Sequence, residues 1–171
     1  MTGRSILVLG GARCGKSRFA EGLAAGWQGE RTYIATAERG DAEMAARIAD
    51  HRSRRGPEWT TIEAPLALVE ALETAPEGFV LIDCLTLWIS NLLLGEFEIA
   101  PRVERLADTL RARRGTVVVV SNEVGLGIVP DNALSRRFRD EAGFANQRLA
   151  QACDEVVFIA AGLPVTLKPP R

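Results

Sequence analysis

Apolar residues along the chain fall into short unbroken runs, separated by longer stretches in which they recur every three or four positions. Ile6-Leu7-Val8-Leu9, Phe79-Val80-Leu81-Ile82 and Val117-Val118-Val119-Val120 are apolar throughout, the signature of strands covered on both faces of a parallel sheet. The pattern predicts strands over residues 5–9, 32–35, 59–63, 79–83, 116–121 and 155–160, with a short final strand at 165–167. The helical period predicts helices over 16–27, 41–54, 65–75, 85–94, 101–113 and 135–153. Phe19, Ala20, Leu23 and Trp27 share one face of the first helix, and Gly26 and Gly29 punctuate its end. Strand and helix in alternation predict an α/β fold, with a mostly parallel sheet of six or seven strands and helices on both faces. No repeat, low-complexity tract or linker divides the chain, so residues 1–171 are read as one domain. Residues 95–98 and 125–132 are predicted exposed loops. The second follows the carboxyl end of a buried strand, the edge where open α/β sheets bind ligands.

The first turn from strand to helix carries the chemistry. Gly10-Gly11-Ala12-Arg13-Cys14-Gly15-Lys16-Ser17 fits G-x-x-x-x-G-K-[ST], behind a strand and ahead of a helix as that pattern requires. Glycines let the backbone bend around a polyphosphate so that several N–H groups point inward, and the helix N-terminus adds partial positive charge. Lys16 would reach the β- and γ-phosphates, and the Ser17 hydroxyl would help to hold Mg²⁺. Asp83, closing the apolar run 79–82, has the place of the acidic residue that orients such a metal. Read alone, it is equally an N-cap for the following helix; beside the phosphate loop the metal role is preferred. The guanine-reading N-K-x-D of regulatory GTPases is absent, which argues against a switch-type G protein.

His51 is the sole histidine. Met44, Ile48 and His51 fall along one stripe of the predicted helix 41–54, and Gly56-Pro57 stops it just beyond. Two readings are open from the residues alone. A histidine can finish an apolar face while the cluster Arg52-Ser53-Arg54-Arg55 neutralises the helix C-terminus. Alternatively, a neutral imidazole attacks phosphorus to form a covalent phosphoramidate, and the arginines bind the nucleotide phosphates bidentately.

Composition narrows the partners. A net charge of −1 gives no global electrostatic case for nucleic acid or an anionic membrane. No run of about 18 apolar residues occurs, so no membrane span is predicted and the protein is expected to be cytoplasmic. Cys14, Cys84 and Cys153 have no C-x-x-C spacing, so neither a zinc site nor a disulfide framework is expected. Cys14 lies inside the phosphate loop, where a small residue is tolerated and where oxidation would inactivate.

Taken together, these strings resemble the bifunctional adenosylcobinamide kinase/adenosylcobinamide-phosphate guanylyltransferase family of cobalamin biosynthesis. The resemblance runs nearly end to end. It covers residues 10–17, Tyr33-Ile34-Ala35-Thr36-Ala37, Met44-Ala45-Ala46-Arg47-Ile48 leading to His51, and Asp83-Cys84-Leu85-Thr86-Leu87-Trp88 with Asn91-Leu92-Leu93. Ser121-Asn122-Glu123-Val124-Gly125, Gly127-Ile128-Val129-Pro130, Phe138-Arg139-Asp140, Gly143, Asn146-Gln147 and Gly162-Leu163-Pro164 complete it. The resemblance implies a P-loop, RecA-like fold in which His51 is guanylylated by GTP. It further implies GTP contacts from residues 10–17, from Ala35, Thr36 and Ala37, from the arginine cluster 52–55, and from Glu63 and Asp83. The implied substrates are GTP or ATP and a corrinoid, and the implied assembly is a homo-oligomer, most simply a trimer. Two positions depart from the family: Cys14 stands where serine is common, and Asp50 precedes His51 where some members have paired histidines. The rival functions are a monofunctional small-molecule kinase with a structural His51, and a nucleotide-dependent motor or regulatory subunit.

Overall fold

A computed structural model describes residues 3–37 and 56–170. The elements are β1 (Arg4–Gly10), α1 (Lys16–Gly22), β2 (Arg31–Ala35), β3 (Trp59–Glu63), α2 (Leu68–Thr74), β4 (Phe79–Asp83) and α3 (Leu85–Leu94). They continue with α4 (Ala100–Ala112), β5 (Thr116–Asn122), α5 (Ala133–Ala152), β6 (Glu155–Ala160) and β7 (Leu163–Lys168). The seven strands form one sheet in the order β3-β2-β4-β5-β1-β6-β7. All pairings are parallel except β6 with β7. The predicted strand at 165–167 is thus a longer antiparallel edge strand, turned by Ala161 and Gly162 at positive φ. The predicted helix 41–54 lies outside the described residues.

The apolar runs sit at the centre of the sheet because only there do both faces bury them. One face carries α2, α3, α4 and α5 over a core that includes Leu7, Ile34, Val80, Ile82, Val117 and Val119. The other face receives α1 through Ala20, and the turn after it through Ala24, over Ile6, Val8, Leu81, Val118 and Val120. Aromatic edges extend the cover on that face: Trp27 and Trp59 both meet Phe79 edge-on, at 5.8 and 5.9 Å between ring centroids.

Two helices start or end differently from the sequence pattern, each for a local reason. The predicted helix 16–27 is regular only to Gly22. Beyond it the bonds shorten to i→i−3, as in Ala24 to Glu21 and Trp27 to Ala24, and Gly26 takes a positive φ. The predicted helix 65–75 begins at Leu68 because the carbonyls ahead of it serve α3. Pro65 O accepts from Asn91 Nδ2 at 3.0 Å, and Leu66 O accepts from Trp88 Nε1 at 2.9 Å.

Trp88 therefore fills the core and also ties the segment after β3 to α3. Trp88→Ala should cost about 3–5 kcal/mol in denaturant unfolding, and Trp88→Phe clearly less. A loss below about 1 kcal/mol for the alanine variant would mean that α3 is not packed as described.

Candidate active site

The strand register brings Gly10, Ala35, Glu63, Asp83 and Asn122 to one edge, the carboxyl end of the parallel strands. Gly10 is level with Asn122, and Ala35 with both Asp83 and Glu63. Here the chain from Gly10 to Ser17 leaves β1 and enters α1. Its shape requires glycine at two points. A Cβ on Gly10, at φ +152°, would lie 2.5 Å from Ile159 O and 2.6 Å from Cys14 Sγ. Gly15 adopts φ +101° as the residue that opens α1.

Four carbonyls of this loop are claimed by protein donors, Gly15 O by Phe19 N at 3.0 Å as α1 begins. Gly10 O accepts from Glu123 N at 3.0 Å, Cys14 O from Gly162 N at 2.9 Å, and Gly11 O from Lys16 Nζ at 2.5 Å. Among the described residues, no protein acceptor takes the N–H groups of residues 11–17. With Gly10 O and Cys14 O held by flanking strands and its amides unclaimed among the described residues, the loop offers a run of free N–H donors, the arrangement that binds an anion. The Lys16 side chain is buried along the loop, so its ammonium sits over the cradle rather than in solvent. Ser17 is half-buried in the first turn of α1.

Asp83 ends β4, two strands away from the loop. Its Oδ2 is buried and has no hydrogen-bond partner among the described residues, a costly state for a carboxylate oxygen unless a cation or donor completes it. The helix-cap alternative does not hold, because Cys84 is the N-cap of α3 and its Sγ accepts from Leu87 N at 3.4 Å. An oxygen ligand of this kind, with the Ser17 hydroxyl, suits a magnesium ion that keeps its remaining positions for phosphates and water. Among the described residues there is no cluster of three or more His, Cys, Asp or Glu that would hold a metal unaided.

Thr36 is fully buried and acts as a latch. Its hydroxyl accepts from Cys84 N at 2.8 Å and donates to Cys84 O at 2.7 Å. Its own carbonyl accepts from Asn91 Nδ2 at 2.8 Å. Ala35 and Ala37 flank it, half-buried at the edge. Glu63 is exposed at the end of β3, four strands from β1. At about 4.8 Å per strand that is roughly 19 Å, so any nucleotide contact from Glu63 belongs to the end remote from the triphosphate. His51 and the cluster Arg52, Ser53, Arg54 and Arg55 lie outside the described residues.

A buried network that the sequence reading did not single out fixes the end of β5. Ser121 Oγ donates to Asn146 Oδ1 at 2.6 Å and lies 3.2 Å from Thr86 Oγ1. Thr86 Oγ1 accepts from Asn122 N at 2.7 Å, and Asn146 Nδ2 donates to Asn122 O at 3.2 Å. The available signal was Asn146 itself, a polar residue on the stripe of α5 formed by Ala142, Ala145 and Leu149.

The loop, its lysine and the strand order define a P-loop nucleotide-binding protein of the RecA-like type. The same fold occurs in the flagellar accessory protein FlaH of Methanocaldococcus jannaschii, with a TM-score of 0.55 and 13% identity over 98% of this chain and 79% of that one. Within that class, the family described as cobinamide kinase / cobinamide phosphate guanyltransferase matches residues 6–167, and the chain belongs to this family. It is 50% identical over 166 residues to the bifunctional adenosylcobalamin biosynthesis protein CobP of Pseudomonas aeruginosa, covering 95% of this chain and 96% of that protein. It is 41% identical over 180 residues to the bifunctional adenosylcobalamin biosynthesis protein CobU of Salmonella typhimurium, covering 95% and 99%. Among the described residues no helix is long and apolar enough to cross a membrane.

The three thiols separate by environment. Burial, then the neighbouring Asp83 carboxylate, pushes the Cys84 thiol up to about 12. Burial likewise pushes Cys153 up to about 12, whereas Cys14 is partly exposed in the phosphate loop. The thiolate is the nucleophile, so both buried thiols stay protonated and inert at pH 8. Iodoacetamide should therefore label Cys14 alone in the folded protein, as read by intact mass and peptide mapping. Labelling of Cys84 without unfolding would contradict the burial.

Proposed function

We propose that the chain, as a single P-loop domain, catalyses two successive transfers to a corrinoid. In the first, the γ-phosphoryl of GTP or ATP passes to the hydroxyl on the aminopropanol arm of adenosylcobinamide. In the second, GMP passes from GTP through His51 to adenosylcobinamide phosphate, giving adenosylcobinamide-GDP. The observation that carries this reading is the phosphate loop with its carbonyls tied back and its amides unclaimed, in a chain of the cobinamide kinase / cobinamide phosphate guanyltransferase family.

Gly10, Gly11, Ala12, Arg13, Cys14, Gly15, Lys16 and Ser17 bind the triphosphate, with the Lys16 ammonium exchanging Gly11 O for phosphate oxygens. Such preorganised donors act most strongly on charge that develops during transfer. Ser17 and Asp83 would hold Mg²⁺, which when bound neutralises charge on the phosphates. Ala35 and Ala37 line the edge beside Asp83, Thr36 fixes it from below, and Glu63 serves the distal end of the nucleotide.

In the second transfer the His51 imidazole attacks the α-phosphorus, the bond to the β-phosphate breaks, and pyrophosphate leaves. The ring proton is lost to solvent. A phosphate oxygen of adenosylcobinamide phosphate then attacks the same phosphorus, the nitrogen–phosphorus bond breaks, and the ring takes a proton back from solvent to leave neutral imidazole. Arg52, Arg54 and Arg55, with Ser53, bind the phosphates of the incoming nucleotide. The substrates are small molecules rather than nucleic acid, and the enzyme works in the cytoplasm as a homo-oligomer, with a trimer favoured. The exposed apolar stripe Leu163, Val165 and Leu167 on the edge strand β7 supports association of copies.

GTP alone should leave a GMP group on the protein, labile to acid and comparatively stable to alkali, with pyrophosphate released. Peptide mapping should place it on His51, and His51→Ala should lose it while keeping most of the kinase rate. Label from α-phosphate GTP that persists on His51→Ala, or never attaches to the parent, would contradict the covalent route.

A further inference from the structure

β5 lies between the strands that carry the phosphate loop and Asp83. Its carboxyl end, and Glu123 just beyond it, therefore stand next to the phosphate loop at the ligand-binding edge of the sheet. Glu123 is placed by its backbone, whose N–H donates to Gly10 O at 3.0 Å. Its side chain is oriented by Gly125, whose N–H donates to Oε1 at 2.6 Å. That contact occupies one carboxylate oxygen and leaves Oε2 for another partner.

The chain beyond Glu123 is unusual for a surface loop. Leu126 is 81% and Ile128 98% exposed, with Val129 exposed beside them. Adjacent apolar side chains presented to water mark a surface that something apolar covers. The acceptor proposed above is a corrinoid, a large macrocycle with amides around its rim, apolar methyl-bearing faces, and the reacting hydroxyl at the end of its aminopropanol arm. Such a face suits an apolar bed next to the phosphate loop. Deprotonating that hydroxyl calls for a carboxylate within reach of the transfer. Of the other acids that end strands at this edge, Glu63 is four strands from the loop, and the buried oxygen of Asp83 is suited to a cation.

We propose that Glu123 is the catalytic base of the kinase step, and that Leu126, Ile128 and Val129 form the bed on which the corrinoid acceptor lies. The inference rests on the transfers proposed above. The acceptor O–H bond breaks and its proton passes to Glu123 Oε2. The acceptor oxygen bonds to the γ-phosphorus, the γ-phosphorus to β-bridging-oxygen bond breaks, and nucleoside diphosphate leaves. Glu123 then returns its proton to water.

The test measures both transfers separately on the full chain. Glu123→Gln keeps the size of the side chain and an oxygen for Gly125 N. It should lower kcat for cobinamide phosphorylation by roughly 100-fold or more, leave the KM for nucleotide in place, and leave GMP uptake from labelled GTP close to the parent. Glu123→Asp should restore part of the lost kcat. Ile128→Ser should raise the KM for cobinamide about ten-fold. A Glu123→Gln protein with kinase kcat within a few-fold of the parent overturns the assignment. So does a parallel loss of GMP uptake, which would mark Glu123 as purely structural. An Ile128→Ser protein with unchanged KM but a lower sedimentation mass would overturn the corrinoid bed in favour of a second copy of the chain. A parent that phosphorylates no cobinamide would instead overturn the activity itself.

Discussion

The structure depends on where the carbonyl groups of one short loop go. A backbone that turns its N–H groups toward a ligand must send its C=O groups the other way, and each buried oxygen then needs a donor. Here the donors come from three places. Glu123 N arrives from the end of β5, Gly162 N from the β6–β7 turn, and Lys16 Nζ from the helix that the loop itself begins. The flanking strands of β1 are thus the walls that hold the cradle open, and the antiparallel β7 contributes through its turn.

The same economy extends along the sheet edge. Thr36 clasps the backbone of Cys84 from β2, and Asn91 reaches back from α3 to the carbonyls of Thr36 and Pro65. Thr86, Ser121 and Asn146 do the corresponding work at the end of β5. Thr36, Thr86, Ser121 and Asn146 are buried and hydrogen-bonded, and Asn91 half-buried, so these groups add rigidity at little desolvation cost. Asp83 Oδ2 is the exception at this edge, and it is the atom at which cation chemistry would be expected.

Much of this was legible in the sequence, because its strongest signals answer to single physical causes. The runs 6–9, 79–82 and 117–120 fit strands covered on both faces, which they are, and G-x-x-x-x-G-K-S between a strand and a helix has one common purpose. Helix ends were less legible, because they depend on partners distant in sequence. Leu68 opens α2 where Trp88 and Asn91, distant in sequence, hold the carbonyls of Leu66 and Pro65 ahead of it. Thr36 shows a subtler limit. Its position at the sheet edge was readable, but the burial of its hydroxyl against Cys84 follows from the packing of three elements. Asp83 was ambiguous between cap and metal ligand until Cys84 proved to be the cap. The histidine and arginine cluster of residues 51–55 rests on sequence resemblance alone.

Amide hydrogen exchange tests the central claim, that the loop is a cradle of unclaimed N–H groups held open by its tied carbonyls. The protein should be compared with and without a GTP analogue whose α–β bridge cannot be cleaved, so that binding occurs without transfer. Residues 11–17 should exchange rapidly in the free protein, because no acceptor among the described residues protects them. They should slow markedly when phosphate oxygens accept from them, while the edge strand β7 remains unchanged. Equal exchange in residues 11–17 with and without saturating analogue would contradict the account.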